Sequence, residues 1–134
     1  AFSSDKSTRS LWARIATNDT FWAVRQAALE NTGKYPGEKS VQLFKLCLND
    51  ENSKVRLSAV RILGDMKDPK MIKLFENMFG SENSYAVKAE SLRSIGKCGS
   101  EKQLAFLKAA QSEKSYRNVV GRAATDAIAM ITKK

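Results

Sequence analysis

The amino-acid sequence predicts an all-α fold, an α-α superhelix (solenoid) of about four helix pairs. Three observations lead to this prediction: an internal repeat of 31 to 33 residues, helical spacing of apolar residues within each repeat, and polar turns between the helices. The chain has 134 residues, a length that fits one domain. Its 43% hydrophobic and 28% charged residues are typical of a globular protein.

An anchor valine recurs once in each repeat and sets the register. The four valines follow one another at spacings of 31, 32 and 33 residues: Val24, Val55, Val87 and Val120. Nine positions after each valine comes a small residue: Gly33, Gly64, Gly96 and Ala129. A fixed period of this length is typical of stacked helix pairs, each of which contacts its neighbours. We therefore expect one domain over residues 1–134, with repeats at about 8–34, 37–66, 68–98 and 100–132.

The segment after each polar break has the pattern of an amphipathic helix. Val55, Ala59 and Ile62 fall on one face at helical spacing. The breaks carry N-cap candidates, such as Asn18-Asp19-Thr20 and Ser81-Glu82-Asn83-Ser84. The glycine near the end of each of the first three segments predicts a left-handed C′ residue that closes the helix.

A second helix precedes each break in the same register. Its apolar residues match between repeats: Val41, Leu43 and Phe44, then Ile72, Leu74 and Phe75, then Leu104, Phe106 and Leu107. The segment Leu11–Ala16 is the matching helix of the first repeat, and Pro69 stands where a first helical turn permits proline. The repeat unit is therefore helix, short polar turn, helix.

Composition excludes most catalytic chemistry. The chain has no histidine, so it has no Ser-His-Asp triad, no histidine general base and no zinc site with imidazole ligands. Cys47 and Cys98 cannot form a closed metal site by themselves, and we expect both to be buried free thiols. There is no phosphate-binding glycine loop and no G-x-S-x-G elbow. We expect no catalytic, cofactor-binding or metal-binding residue in this chain, and no membrane span.

The repeats resemble the HEAT-like repeat. The resemblance rests on an acidic residue ahead of a Val-Arg or Val-Lys pair: Asp19 with Val24-Arg25, Asp50 with Val55-Arg56, and Glu82 with Val87-Lys88. The fourth repeat departs from this pattern, with Ser115 and Gly121 in place of the charged residues. Its place at the end, before Lys133-Lys134, fits a capping repeat or a cut end of the chain. We expect the acidic and basic residues to be structural, although a ligand-binding row remains the alternative.

A narrower resemblance concerns three segments, 21–28, 84–92 and 115–120. They are similar to the C-terminal HEAT-like region of aminopeptidase N-like (gluzincin) zinc metallopeptidases. The catalytic motif of that family, H-E-x-x-H, requires histidine, so no catalytic residue transfers to this chain. The resemblance implies a non-catalytic accessory domain, whose parent's catalytic domain would bind the zinc. Ala1-Phe2-Ser3-Ser4-Asp5, without an initiator Met or a signal segment, is then expected to be a cut in a longer chain.

The formal charge of +9 raises the alternative of nucleic-acid binding. On the second helices the charged row is Glu30, Arg61, Arg93 and Asp126, which is mixed in sign. On the first helices it is Arg14, Lys45, Glu76 and Lys108, which we expect to face outward. These rows favour a protein partner over nucleic acid: the catalytic domain of the same parent chain, or a separate protein bound by a free-standing adaptor. The compartment stays open between cytoplasm and bacterial envelope.

Overall fold

The computed structural model describes residues 6–37 and 39–134, and these residues form α-helices joined by short turns. The helices are α1 (Lys6–Asn18), α2 (Trp22–Lys34), α3 (Ser40–Cys47), α4 (Ser53–Asp65), α5 (Ile72–Ser81), α6 (Tyr85–Cys98), α7 (Leu104–Ala110) and α8 (Val119–Thr132). Short 3-10 turns precede α5, α7 and α8. None of the described residues lies in a strand. The prediction of an all-α chain of helix pairs is confirmed, and the expected cut at residues 1–5 lies outside the described residues.

The chain divides into two compact units, with the boundary between Ile62 and Leu63. In the first unit α1 packs on α2, and in the second α5 packs on α6 while α6 and α7 pack on α8. In each unit, several of the apolar positions that the repeat predicts are buried. At one of these positions Phe44 is 1% exposed, and Phe75 and Leu107 are 0% exposed. Burial of such large side chains supplies most of the favourable free energy of folding.

In the second unit, short polar side chains begin α6 and the 3-10 turn that precedes α5. Asp68 accepts a hydrogen bond from the backbone N–H of Lys70 at 3.0 Å, and Pro69 follows it in the first turn. Ser84 Oγ accepts from the backbone N–H of Val87 at 3.4 Å, at the start of α6. These contacts satisfy N–H groups that the helix itself leaves without acceptors.

The prediction that Gly33, Gly64 and Gly96 are left-handed C′ residues is wrong. Each lies inside its helix, and no glycine among the described residues has a positive φ. They are needed for close packing instead. A Cβ at Gly33 would lie 2.9 Å from Ile62 Cδ1, and one at Gly96 would lie 2.8 Å from the Ala127 Cα. At Gly64 a Cβ would overlap the Ser94 side chain. Glycine at these positions leaves room for the next second helix to pack closely, against a side chain at Gly33 and against backbone at Gly96.

Candidate functional site

An acidic residue stands in the turn inside each of the first three helix pairs and accepts a hydrogen bond just ahead of the second helix. The Asp19 carboxylate accepts from the backbone N–H two residues on at 2.8 Å. Asp50 does the same at 2.9 Å, and Glu82 at 3.0 Å. The repeated i to i+2 bond places one carboxylate at the start of each of these second helices, where negative charge is also favoured by the helix dipole.

Arg25 joins α2 to the next turn of the first unit. Its Nε donates to Asp50 Oδ2 at 2.9 Å and its Nη2 to Asp50 Oδ1 at 2.9 Å, so the contact is bidentate. The third nitrogen, Nη1, donates to the Asp19 carbonyl oxygen at 2.9 Å. The Arg25 and Asp50 side chains are only 6% and 9% exposed. Such a desolvated bidentate pair fixes two elements in one register.

The buried pair controls the ionisation of both partners. The hydrogen bond from Arg25 to Asp50 raises the guanidinium pKa above its usual value, against the opposing effect of burial. Burial by itself would raise the pKa of Asp50. The hydrogen bonds from Arg25 and the Asn52 N–H, together with the charges of Arg25 and Arg56, hold it below its usual value. The pair is therefore fully ionised at neutral pH.

The second unit contains an equivalent contact. Lys88 occupies the repeat position of Arg25, and its Nζ lies 2.6 Å from Glu113 Oε1 in the turn before α8. The Lys88 side chain is 13% exposed and also covers the Phe79 ring at 4.4 Å. In each unit, therefore, a cation on a second helix reaches an acid in the turn of the following pair. Arg56 shares this repeat position, and its Nη1 donates to the Asp50 carbonyl oxygen at 2.8 Å.

The anchor valines do not share one environment. Val55, Val87 and Val120 are completely buried, whereas Val24 is 40% exposed. Phe21, one turn before Val24, is 56% exposed and stands where the other pairs have a polar residue. Sequence reasoning missed this patch because it read Val24 only as a repeat marker. The signal available was Phe21 itself, an aromatic residue where an N-cap residue is expected.

The charged row on the second helices pairs with itself inside each unit. Arg61 Nη2 lies 3.1 Å from Glu30 Oε1, and Arg93 Nη2 lies 3.3 Å from Asp126 Oδ2. These side chains are partly exposed, so each pair contributes little to stability. Because the cations are matched by acids, this row offers no continuous positive track to phosphates. On the first helices Arg14, Lys45 and Lys108 are exposed and Glu76 is half-buried.

Both cysteines are free and buried. Burial, with a further contribution from the Asp50 charge, raises the pKa of the Cys47 thiol to about 11. Burial also raises the pKa of Cys98. Cys47 lines a cavity of about 500 Å³ with Asp19, Arg25 and Asp50. A thiol with so high a pKa is protonated at neutral pH, so this cavity presents neither a thiolate nucleophile nor a thiolate metal ligand.

The described residues contain no group of three or more Cys, Asp and Glu side chains arranged to hold a metal ion. In the same part of the chain, every helix is too short or too polar to cross a membrane.

Comparison with protein families matches the chain to HEAT repeats over residues 9–88 and again over residues 41–129. These ranges include most of the chain, and it belongs to the HEAT-repeat family. The all-α fold of helix pairs is accordingly a HEAT-like solenoid, a class of scaffold that generally mediates protein interactions. The comparison with curated proteins gives no match.

Proposed function

We propose that this chain is a non-catalytic interaction domain that binds a protein partner. The observation that carries the proposal is that the first unit pairs its charged side chains with one another but leaves two apolar side chains exposed. The charged side chains between α2 and α4 bind each other, while Phe21 and Val24 remain 56% and 40% exposed. Exposed neighbouring apolar side chains on a folded domain mark a contact surface.

The finer proposal is that the partner is the catalytic body of an aminopeptidase N-like zinc metallopeptidase on the same parent chain. Its support is the sequence resemblance of segments 21–28, 84–92 and 115–120. Zinc would then be bound by that body and by no residue of this domain. The alternative is a free-standing adaptor with a separate protein partner. An H-E-x-x-H region upstream in the parent open reading frame distinguishes the first from the second.

Site-specific photo-crosslinking in the native cell tests the interaction domain directly. Phe21 is replaced by benzoylphenylalanine in one variant, and exposed Lys108 of the first-helix row in the other. We expect the Phe21 variant to give one defined protein adduct, identified by mass spectrometry, and the Lys108 variant to give none. Equal adducts from both positions, or nuclease-sensitive adducts from Lys108, would contradict the proposal and favour nucleic-acid binding.

A further inference from the structure

The turns that join successive helix pairs of the second unit lie together at one edge. Lys97 Nζ, at the end of α6, lies 2.6 Å from Asp65 Oδ1, at the end of α4. Lys134 Nζ, beyond α8, donates to the Gly99 carbonyl oxygen at 2.7 Å. These contacts bring three segments together into one surface, which we call the lysine edge: residues 65–70, 97–102 and 133–134.

Positive charge is concentrated on this edge. The lysine edge has six lysines and three acids. At the opposite ends of the helices, the turns inside the helix pairs are balanced, because residues 82–84 and 111–118 hold two cations and two acids. The ion pair of Lys97 with Asp65 uses one charge of each sign on the lysine edge. The five other lysines and two other acids leave a local positive field there.

Three lysines of this edge are exposed and form no ion pair with any described residue: Lys67, Lys70 and Lys102. Lys67 has a φ of 55°, in the left-handed region that favours glycine. A lysine here holds a strained backbone, and no side-chain contact within the described part of the chain compensates for it. Strain of this kind is typical of positions that serve a function.

Helix stability does not explain Lys70 and Lys102 either. Each lies in the 3-10 turn at the start of a helix pair, where the helix dipole favours an acid over a cation. Lys39 holds the same position one repeat earlier, so that a lysine recurs at spacings of 31 and 32 residues. These turns lie at the ends of the helices, away from the faces by which one pair packs on the next. Their exposure therefore does not depend on a further helix pair.

Apolar surface lies among the lysines. Met66, next to Lys67, is 44% exposed. Pro69, next to Lys70, is exposed as well. A polypeptide can satisfy both kinds of group, with carboxylates for the lysines and an apolar side chain for the flexible thioether of the methionine.

The acids of this edge favour a polypeptide over nucleic acid. Asp68 and Glu101 lie within two residues of Lys70 and Lys102 in the sequence. Phosphates follow one another closely along a nucleic-acid strand, so a strand that meets these lysines also meets the acids. A polypeptide can place carboxylates at the lysines and neutral residues at the acids.

From these observations we propose that the lysine edge binds an acidic segment of a protein, with an apolar residue among its carboxylates. The carboxylates contact Lys67, Lys70 and Lys102, and the apolar side chain packs on Met66. This surface belongs to the second unit, whereas the exposed apolar side chains described above belong to the first. The inference therefore goes beyond the proposed function and does not depend on it.

The test uses the full chain and a fluorescein-labelled synthetic peptide, in which a single central Leu is flanked by Glu residues. The control peptide replaces every Glu with Gln. Fluorescence anisotropy at low salt measures the affinity of each. We expect saturable binding of the Glu peptide, at least tenfold weaker binding of the Gln peptide, and a fall in the affinity of the Glu peptide as salt screens the charges.

Protein variants locate the contact. The edge variant removes the three unpaired charges of the lysine edge: Lys67→Asn, Lys70→Gln and Lys102→Gln. Asparagine is used at the first position because it tolerates left-handed backbone. The matched control removes three charges from exposed residues elsewhere in the second unit: Lys108→Gln, Lys114→Gln and Arg122→Gln. We expect the edge variant to bind the Glu peptide at least tenfold more weakly and the control variant at most threefold more weakly, with both retaining the helical circular dichroism of the unaltered protein.

Met66→Ser tests the apolar contact without changing the charge. We expect it to weaken the Glu peptide severalfold. A Glu peptide with Gly in place of the central Leu should bind Met66→Ser and the unaltered protein equally. Because Met66 is already 44% exposed, the substitution should leave the free energy of unfolding nearly unchanged.

The inference is overturned if the edge and control variants bind the Glu peptide equally, or if its binding does not saturate. It is also overturned if a duplex oligonucleotide or a phosphatidylserine vesicle binds more tightly than the peptide and loses that binding in the edge variant. A defined crosslink from Phe21 without peptide binding would remove this inference alone. Saturable peptide binding at the lysine edge without that crosslink would support this inference and contradict the contact proposed for the first unit.

Discussion

Replacing Gly96 with alanine tests the close packing of α6 against α8. The added Cβ would lie 2.8 Å from the Ala127 Cα and 2.9 Å from its Cβ, against about 3.5–4.0 Å for an ordinary carbon contact. Since one obstacle is backbone, relief requires the helices to move apart. Overpacking of this kind costs about 1–3 kcal/mol, and the better helix propensity of alanine returns at most about 1 kcal/mol. We expect a net loss of about 1–2 kcal/mol in the free energy of unfolding.

Gly80 provides the matched control, because a Cβ there would meet no atom within 4 Å although the residue is also helical. Gly80→Ala should leave stability unchanged or raise it by up to about 1 kcal/mol. Urea unfolding followed by circular dichroism at 222 nm measures the free energy of unfolding of both variants. In thermal unfolding, the Gly96 variant should have a melting temperature several degrees lower than the unaltered protein, because each kcal/mol lowers it by roughly 3–5 °C. The close-packing argument is refuted if Gly96→Ala is as stable as Gly80→Ala.

Three further predictions concern the first unit. Arg25→Met leaves the buried Asp50 carboxylate without its partner and should cost about 3 kcal/mol, whereas Arg61→Met, at a 44% exposed side chain, should cost less than about 1 kcal/mol in the same urea experiment. The lowered pKa of Asp50 means that its contribution is present above the unfolded pKa of about 3.9 and is lost as the pH falls through the folded value. In urea titrations from pH 5 to pH 2, stability should therefore fall less steeply for Asp50→Asn than for the unaltered protein, and parallel curves would contradict this assignment. The Cys47 thiol, with its pKa raised to about 11, should react with a thiol reagent at pH 8 only as fast as the protein opens, so that denaturant accelerates labelling many-fold.

The sequence predicts the helix pairs correctly because their signal is local. Apolar residues at helical spacing, separated by short polar breaks, indicate helices and not strands. The repeat then shows which helices are equivalent. The buried Phe44, Phe75 and Leu107 follow directly from that register. The mixed sign of the second-helix row was also visible in the sequence, although the pairing of its members was not.

Features that depend on contacts between helices are harder to predict from the sequence. Gly96 near the end of a helix has two physical explanations, a left-handed turn or a close approach, and only the position of Ala127 decides between them. Likewise Val24 and Val55 are the same residue in the same register, and their exposure differs because different elements surround them.

The fixed spacing of the contacts between successive helix pairs also affects how fast each unit folds. Gln26 Nε2 donates to Ser58 Oγ between residues 32 positions apart, and Arg93 reaches Asp126 across 33 positions. Closing a loop of that length costs about 3 kcal/mol of chain entropy beyond a constant, and one extra residue changes this by a negligible amount. The contacts between helix pairs in the two units therefore have nearly equal loop-closure costs. Because chain connectivity favours neither unit, we expect their relative folding rates to be set by the side chains that meet between the helix pairs of each unit.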